Sequence, residues 1–109
     1  MRVLFLPEVR YYFKELAEIL YKNDYFGFEE TAIQYAEDLF NNIANTLPIR
    51  VKKIAPSHFD RYGKDMFYAV FPKNKQTQWY VFFNIYANNG EKVYLVRYIS
   101  NNHVTAQLL

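Results

Sequence analysis

Two histidines, one strand-borne arginine and a scatter of lysines hold most of the reactive chemistry this chain can offer. The imidazole of His103 titrates near pH 6.5 when unperturbed, which suits it to take and return a proton at working pH. His58 sits in the loop Pro56-Ser57-His58-Phe59-Asp60 and reads as a structural residue. Arg97 alternates with Val93 and Leu95 and so projects from a strand on their face. From there its guanidinium either neutralises a phosphate or pairs with a helix carboxylate such as Glu37 or Asp38. Lys52, Lys53, Arg61 and Lys64 lie in a long connection ahead of the strands. With Lys73 and Lys75 they make a candidate basic rim for an RNA backbone. No Gly-rich phosphate loop, metal-ligand spacing or Ser/His/Asp set stands out, so neither a cofactor nor a metal is expected.

The elements that position these residues follow from hydrophobic periodicity. Residues 2–6 read as a short strand, and Pro7 suits the first position of a helix. Val9, Tyr12, Phe13, Leu16, Ile19 and Leu20 then recur at helical spacing, with Glu8, Lys14, Glu15 and Glu18 on the other faces. Asn23-Asp24-Tyr25-Phe26-Gly27-Phe28 breaks that pattern and predicts a loop. A second helix starts near Glu29, where two glutamates favour the positive end of the dipole. Its stripe is Ala32, Ile33, Ala36, Leu39, Phe40, Ile43 and Leu47, and Pro48 closes it.

After Pro48 the period becomes alternating. Residues 66–71, 79–86 and 92–99 predict three strands. Trp79, Val81, Phe83 and Ile85 share one face of the second strand. In the third, Val93, Leu95, Arg97 and Ile99 oppose Tyr94, Val96 and Tyr98. Asn88-Asn89-Gly90 supplies a residue at ease with positive φ and predicts a tight hairpin. One sheet face must meet the helices. The other is so rich in Tyr and Phe that the C-terminal tail or another chain is expected to cover part of it.

Bulk properties narrow the function classes. The chain has 109 residues, enough for one domain, and its 51% hydrophobic content can build a core. No apolar run reaches the roughly 18 residues of a membrane span, and the N-terminal apolar stretch is too short for a signal peptide. With no cysteine, the expectation is a cytoplasmic protein away from membranes. Charge is polarised. Residues 1–48 carry four basic and eight acidic side chains, 4 − 8 = −4, and residues 49–109 carry nine and three, 9 − 3 = +6. Such a basic half often faces a polyanion or an acidic partner.

The order strand, helix, helix, antiparallel meander resembles the RelE/ParE toxins of bacterial toxin–antitoxin operons. The residues that carry the resemblance are Leu4-Phe5-Leu6-Pro7-Glu8, leading the strand into the helix, and residues 79–109. The latter include Trp79-Tyr80-Val81-Phe82-Phe83, Asn88-Asn89-Gly90-Glu91, and Val96-Arg97-Tyr98-Ile99-Ser100-Asn101-Asn102-His103. The resemblance implies an α+β fold: a short N-terminal strand and a two-helix antiparallel hairpin packed on a C-terminal antiparallel β-meander, spanning 1–109 as one domain. It implies a toxin held by a cognate antitoxin. RelE-like members cut mRNA in the ribosomal A site, whereas ParE-like members poison DNA gyrase by binding.

Ribosome-dependent cleavage uses the substrate 2′-hydroxyl as nucleophile and needs proton transfer and charge stabilisation, without metal. In that reading His103, just after the last strand, is the acid or base and Arg97 assists. Lys52, Lys53, Arg61, Lys64, Lys73 and Lys75 hold RNA, while Tyr80 or another strand tyrosine stacks on a base. RNA-cutting members often carry an Arg in the strand matched by residues 79–83, and lysines in the strand before it. This chain has Tyr80 in the first and no lysine within residues 66–71. Those missing cations favour the gyrase-binding alternative.

Overall fold

The computed structural model describes residues 1–22 and 28–102, and the loop expected at 23–28 lies outside them except for Phe28. Strand β1 (Arg2–Phe5) leads into helix α1 (Pro7–Lys22), followed by helix α2 (Glu29–Thr46). A short β2 (Lys53–Ile54) precedes β3 (Phe67–Pro72), β4 (Gln78–Asn88) and β5 (Glu91–Asn101). The architecture is α+β, with a five-stranded mixed sheet in the order β1-β5-β4-β3-β2. β3, β4 and β5 form the expected antiparallel meander. β1 adds in parallel beside β5, pairing Arg2↔Val93 through Phe5↔Val96. No described helix is long and apolar enough to cross a membrane.

The helices bury one stripe each. Val9, Phe13 and Leu16 of α1 and Ala32, Ala36, Leu39 and Ile43 of α2 are buried. Most of them join Ala69, Phe71, Trp79, Val81, Phe83, Tyr94, Val96 and Ile99 in the main core. Two members of the expected stripes stand out in solvent, Ile19 at 39% and Ile33 at 42% exposure.

The opposite sheet face is covered differently from expectation. Residues 55–66, anticipated as a bare connection, fold back over it. Phe59 stacks on Phe82 at 4.4 Å and Tyr62 on Tyr98 at 3.8 Å. With Met66 and Tyr80 they form a second apolar cluster. Burying such rings from both sides gives each sheet face its own driving force. The second strand of the meander is also longer than its alternation suggested, and β2 had no periodic signal in two residues.

The facing assigned to β5 needs correction. Phe82 pairs with Tyr98 but Phe83 pairs with Val96, leaving Arg97 with no residue opposite it. That bulge reverses the alternation. Tyr94 and Val96 therefore face the helices together with Ile99, whereas Arg97 and Tyr98 both lie on the second face. Strict period two placed Ile99 with Arg97; the extra residue separates them.

The β4–β5 turn matches its expected chemistry. Asn89 at φ 52 and Gly90 at φ 81 form a two-residue loop closed by Asn88↔Glu91, with both central residues left-handed as a type I′ turn requires. No atom lies within 4 Å of a Cβ built on Gly90, so Gly90→Ala tests backbone conformation alone. We expect a stability loss of about 1 kcal/mol in denaturant titration, with the fold retained.

Candidate functional site

The β3–β4 turn is organised by one side chain. The Asn74 Oδ1 accepts the backbone N–H of Gln76 and of Thr77, both at 2.8 Å, and Lys73 N–H donates to the Thr77 carbonyl at 3.0 Å. An asparagine that caps its own turn in this way holds the loop without a partner element. The turn carries Lys73 and Lys75. It is joined to the far end of β5 by Asn102, whose Oδ1 accepts the Gln78 N–H at 2.9 Å and whose Nδ2 donates to the Gln76 carbonyl at 3.0 Å. The backbone that continues into His103 therefore starts beside this basic turn. His103 itself lies outside the described residues.

Aromatic groups back the turn. Lys73 Nζ stands 4.8 Å from the Tyr35 ring centroid, and the Tyr35 hydroxyl accepts the Trp79 indole N–H at 2.9 Å. The Arg50 guanidinium lies 4.4 Å over Phe71. Such cation–π contacts hold a charge at the surface while leaving its outward side to solvent or to an anion. Tyr80 has only 8% of its surface exposed, and its hydroxyl meets Gln78 at 3.4 Å. Its ring belongs to the second cluster, so presenting a face to a base requires that cluster to open.

Arg97 occupies a different place. Asn102 is five steps of chain further on, roughly 17 Å at about 3.3 Å per residue. Its Nε donates to Asn84 Oδ1 at 2.6 Å and its Nη2 to the Tyr86 hydroxyl at 2.7 Å. Asn84 in turn donates to the carbonyls of Lys64 and Asp65 at 3.0 and 3.3 Å. Arg97 thus fastens the end of the 55–66 cover to β4 and β5. The helix carboxylates considered for it are on the other side of the sheet, and Asp38 accepts from Gln34 at 2.7 Å.

Beside Arg97 lies a cavity of about 470 Å³ lined by Glu8, Tyr12, Tyr62, Tyr98, Ile99 and Ser100, among others. Burial pushes the Tyr12 hydroxyl up to about 12, with smaller contributions from Tyr98 and Tyr35. Burial likewise raises Tyr98 and Tyr35. These phenols stay neutral donors across the physiological range. A phenol raised on folding contributes stability that is present below pH 10 and is lost as pH climbs toward 12. Tyr12→Phe should therefore flatten the alkaline loss between pH 10 and 12. After allowance for solvent screening the effect is about 1 kcal/mol, read from denaturation midpoints across that range.

Comparison with protein-family models, with curated proteins and with solved structures finds no match to this chain. The site must be read from its own residues.

The remaining candidates are dispersed. Lys53 is on the outer strand opposite Tyr68, and Lys52 Nζ lies 5.6 Å from the Phe67 centroid. Lys64 borders the Asn84 anchor through its carbonyl. His58 lies in a single 3₁₀ turn, Ser57–Phe59, where its Nε2 meets Arg61 Nη2 at 3.4 Å and its ring meets Phe59 edge-on. Among the described residues no three His, Asp or Glu side chains gather as a metal site would need.

The structure therefore brings Lys73, Lys75 and the approach to His103 together and leaves Arg97 a strand length away. Sequence reasoning missed Asn102 and Asn84 as residues that set these positions. The polar and basic stretch 72–78 is, by contrast, readable as a loop between two strands. Asn102 and Asn84 had no such signal, since their partners are 24 to 26 and 13 to 20 residues away.

Proposed function

We propose that the chain is a RelE/ParE-type toxin that cleaves mRNA on the ribosome, with its reacting centre where β5 leaves the sheet. The observation that carries this reading is the Asn102 clamp, which starts the His103 segment at the turn bearing Lys73 and Lys75. A metal-free cleavage by the 2′-hydroxyl needs a titratable group beside cations that hold the phosphate. His103 fills the first role and the two lysines the second. Arg97, bound to Asn84 and Tyr86, is a positioning residue that keeps β5 and its cover in register. A cognate antitoxin is the expected partner.

Induced expression in a bacterial host, with primer extension on ribosome-bound mRNA, tests the proposal. The wild type should arrest growth and give discrete cuts, and His103→Ala should remove both by at least about 100-fold, the usual scale of an acid–base contribution. Asn102→Ala, which frees the segment without touching RNA, should lower cutting while leaving the melting temperature close to that of the wild type. Unchanged arrest in the His103 variant would overturn the assignment.

One observation favours a second reading, ParE-like inhibition of DNA gyrase by binding. Residues 66–71 and 79–83 carry no Lys or Arg, the cations that RNA-cutting members hold in those strands. Gyrase supercoiling with pure protein separates the two, since the nuclease reading expects no inhibition. Normal growth on induction would instead point to a relative that binds an antitoxin-like partner without toxicity.

A further inference from the structure

We infer that residues 49–54, the extended run that leaves the 3₁₀ turn Leu47–Ile49 and ends in the edge strand β2, are a docking site for an extended protein segment alternating acidic and branched apolar side chains. β2 ends the strand order, and it pairs with β3 only through Lys53↔Tyr68 and Ile54↔Phe67. Its outer side thus offers backbone donors and acceptors to an added strand. The run Ile49-Arg50-Val51-Lys52-Lys53-Ile54 exposes Ile49, Val51 and Ile54 at 80, 81 and 80%. Among the described residues the next most exposed large hydrophobics, Met1 and Phe28, reach 72%. Lysines alone on an edge serve to repel unwanted strands. Three branched apolar side chains held in water do not serve that purpose, and clustered they mark a contact surface.

Charge selects the occupant. Arg50, Lys52 and Lys53 interleave with the apolar residues, and the run contains no acid. A second copy added edge to edge would set these cations against their equivalents, which is destabilising in directly opposed pairs. A nucleic acid would use the cations and leave the apolar side chains in water. A strand of glutamates or aspartates between valines or isoleucines satisfies both sets.

The surroundings fit such a strand. A groove of about 450 Å³ lined by Ile49, Arg50, Val51, Lys53, Tyr68 and Val70 runs along the edge on the second face. Alternate side chains of an added strand would enter it. Those pointing the other way would meet Lys52, which sits over Phe67 on the helix side.

Fluorescence anisotropy with the full chain tests the inference, using a short labelled peptide that alternates valine with glutamate. The same peptide with lysine for glutamate, and a single-stranded RNA of similar length, serve as the other probes. The acidic peptide should bind, weaken with added salt, and slow amide exchange at residues 50–54. Val51→Glu with Ile54→Glu should cost at least about tenfold in affinity, or 1.4 kcal/mol. Both side chains are in solvent, so circular dichroism should be unchanged, and Ile33→Glu on α2 should leave binding as it was. The proposal fails on any of these results: no binding of the acidic peptide, equal binding of the lysine peptide, an unaffected double variant, or displacement by RNA alone. A wild-type dimer dispersed by the double variant would overturn it in favour of self-association. The inference does not rest on the toxin reading, because peptide binding is measured on the pure protein and His103→Ala should leave it intact.

Discussion

Replacing Phe82 with alanine should lower the unfolding free energy by about 3–5 kcal/mol, the range for emptying an aromatic site in a packed interior. Phe82 is fully buried, stacks on Phe59 at 4.4 Å, and lies near Tyr68 and Tyr98 at 5.7 and 5.6 Å. It is the floor on which residues 55–66 rest. Its loss removes ring contacts from the cover, whose short 3₁₀ turn Ser57–Phe59 has little stability of its own. Amide exchange should accelerate first within residues 55–66, before the β4–β5 ladder. Uniform acceleration across the chain would show that the two sheet faces do not differ in local stability. Phe82→Leu, which keeps most of the volume, should recover much of the loss.

Gly63→Ala should cost about 1–3 kcal/mol through a clash and the polar groups it leaves unpaired. A Cβ built on Gly63 lies 2.5 Å from Arg97 Cδ and 3.0 Å from its Nε. No real Cβ sits that close, so Arg97 must swing away from Asn84 and Tyr86. A double-mutant cycle isolates the mechanism. Placing alanine at both 63 and 97 removes the clash together with its cause, so the cost of Gly63→Ala should largely vanish when position 97 is already alanine. Additive losses would mean that Gly63 acts by another route, such as its own backbone conformation. The requirement for glycine here comes from a neighbour 34 residues away in sequence, and no local pattern announces it.

The two chemical centres were unequally legible. Lys73 and Lys75 stand in a stretch whose polar composition already marked a turn, and Asn74 folds that turn through contacts within three residues. Such local hydrogen bonding is written in the residue order. Arg97 was recognisable as a strand cation, yet its partners were not. Alternation predicts a face only while the register is unbroken, and the bulge between Phe82 and Phe83 breaks it at Arg97 itself. The cover of residues 55–66 was equally hidden. Phe59, Tyr62 and Met66 recur at helical spacing, yet three apolar residues around Gly63 are too short a stripe to make a helix, and they reach the sheet from turns instead.

The sequence by itself determined the two helices, the three long strands, the hairpin at Asn89-Gly90 and the polarised charge. Each depends on side-chain periodicity or on local backbone preference, which act within a few residues. Only the tertiary structure decided that β1 runs parallel beside β5, that Arg97 faces Asn84 and Tyr86, and that Asn102 ties the last strand to the Lys73–Lys75 turn. Those outcomes depend on which distant segments come into contact. A strand's pairing partner, a bulge and a long-range hydrogen bond are selected by the summed packing of the whole chain.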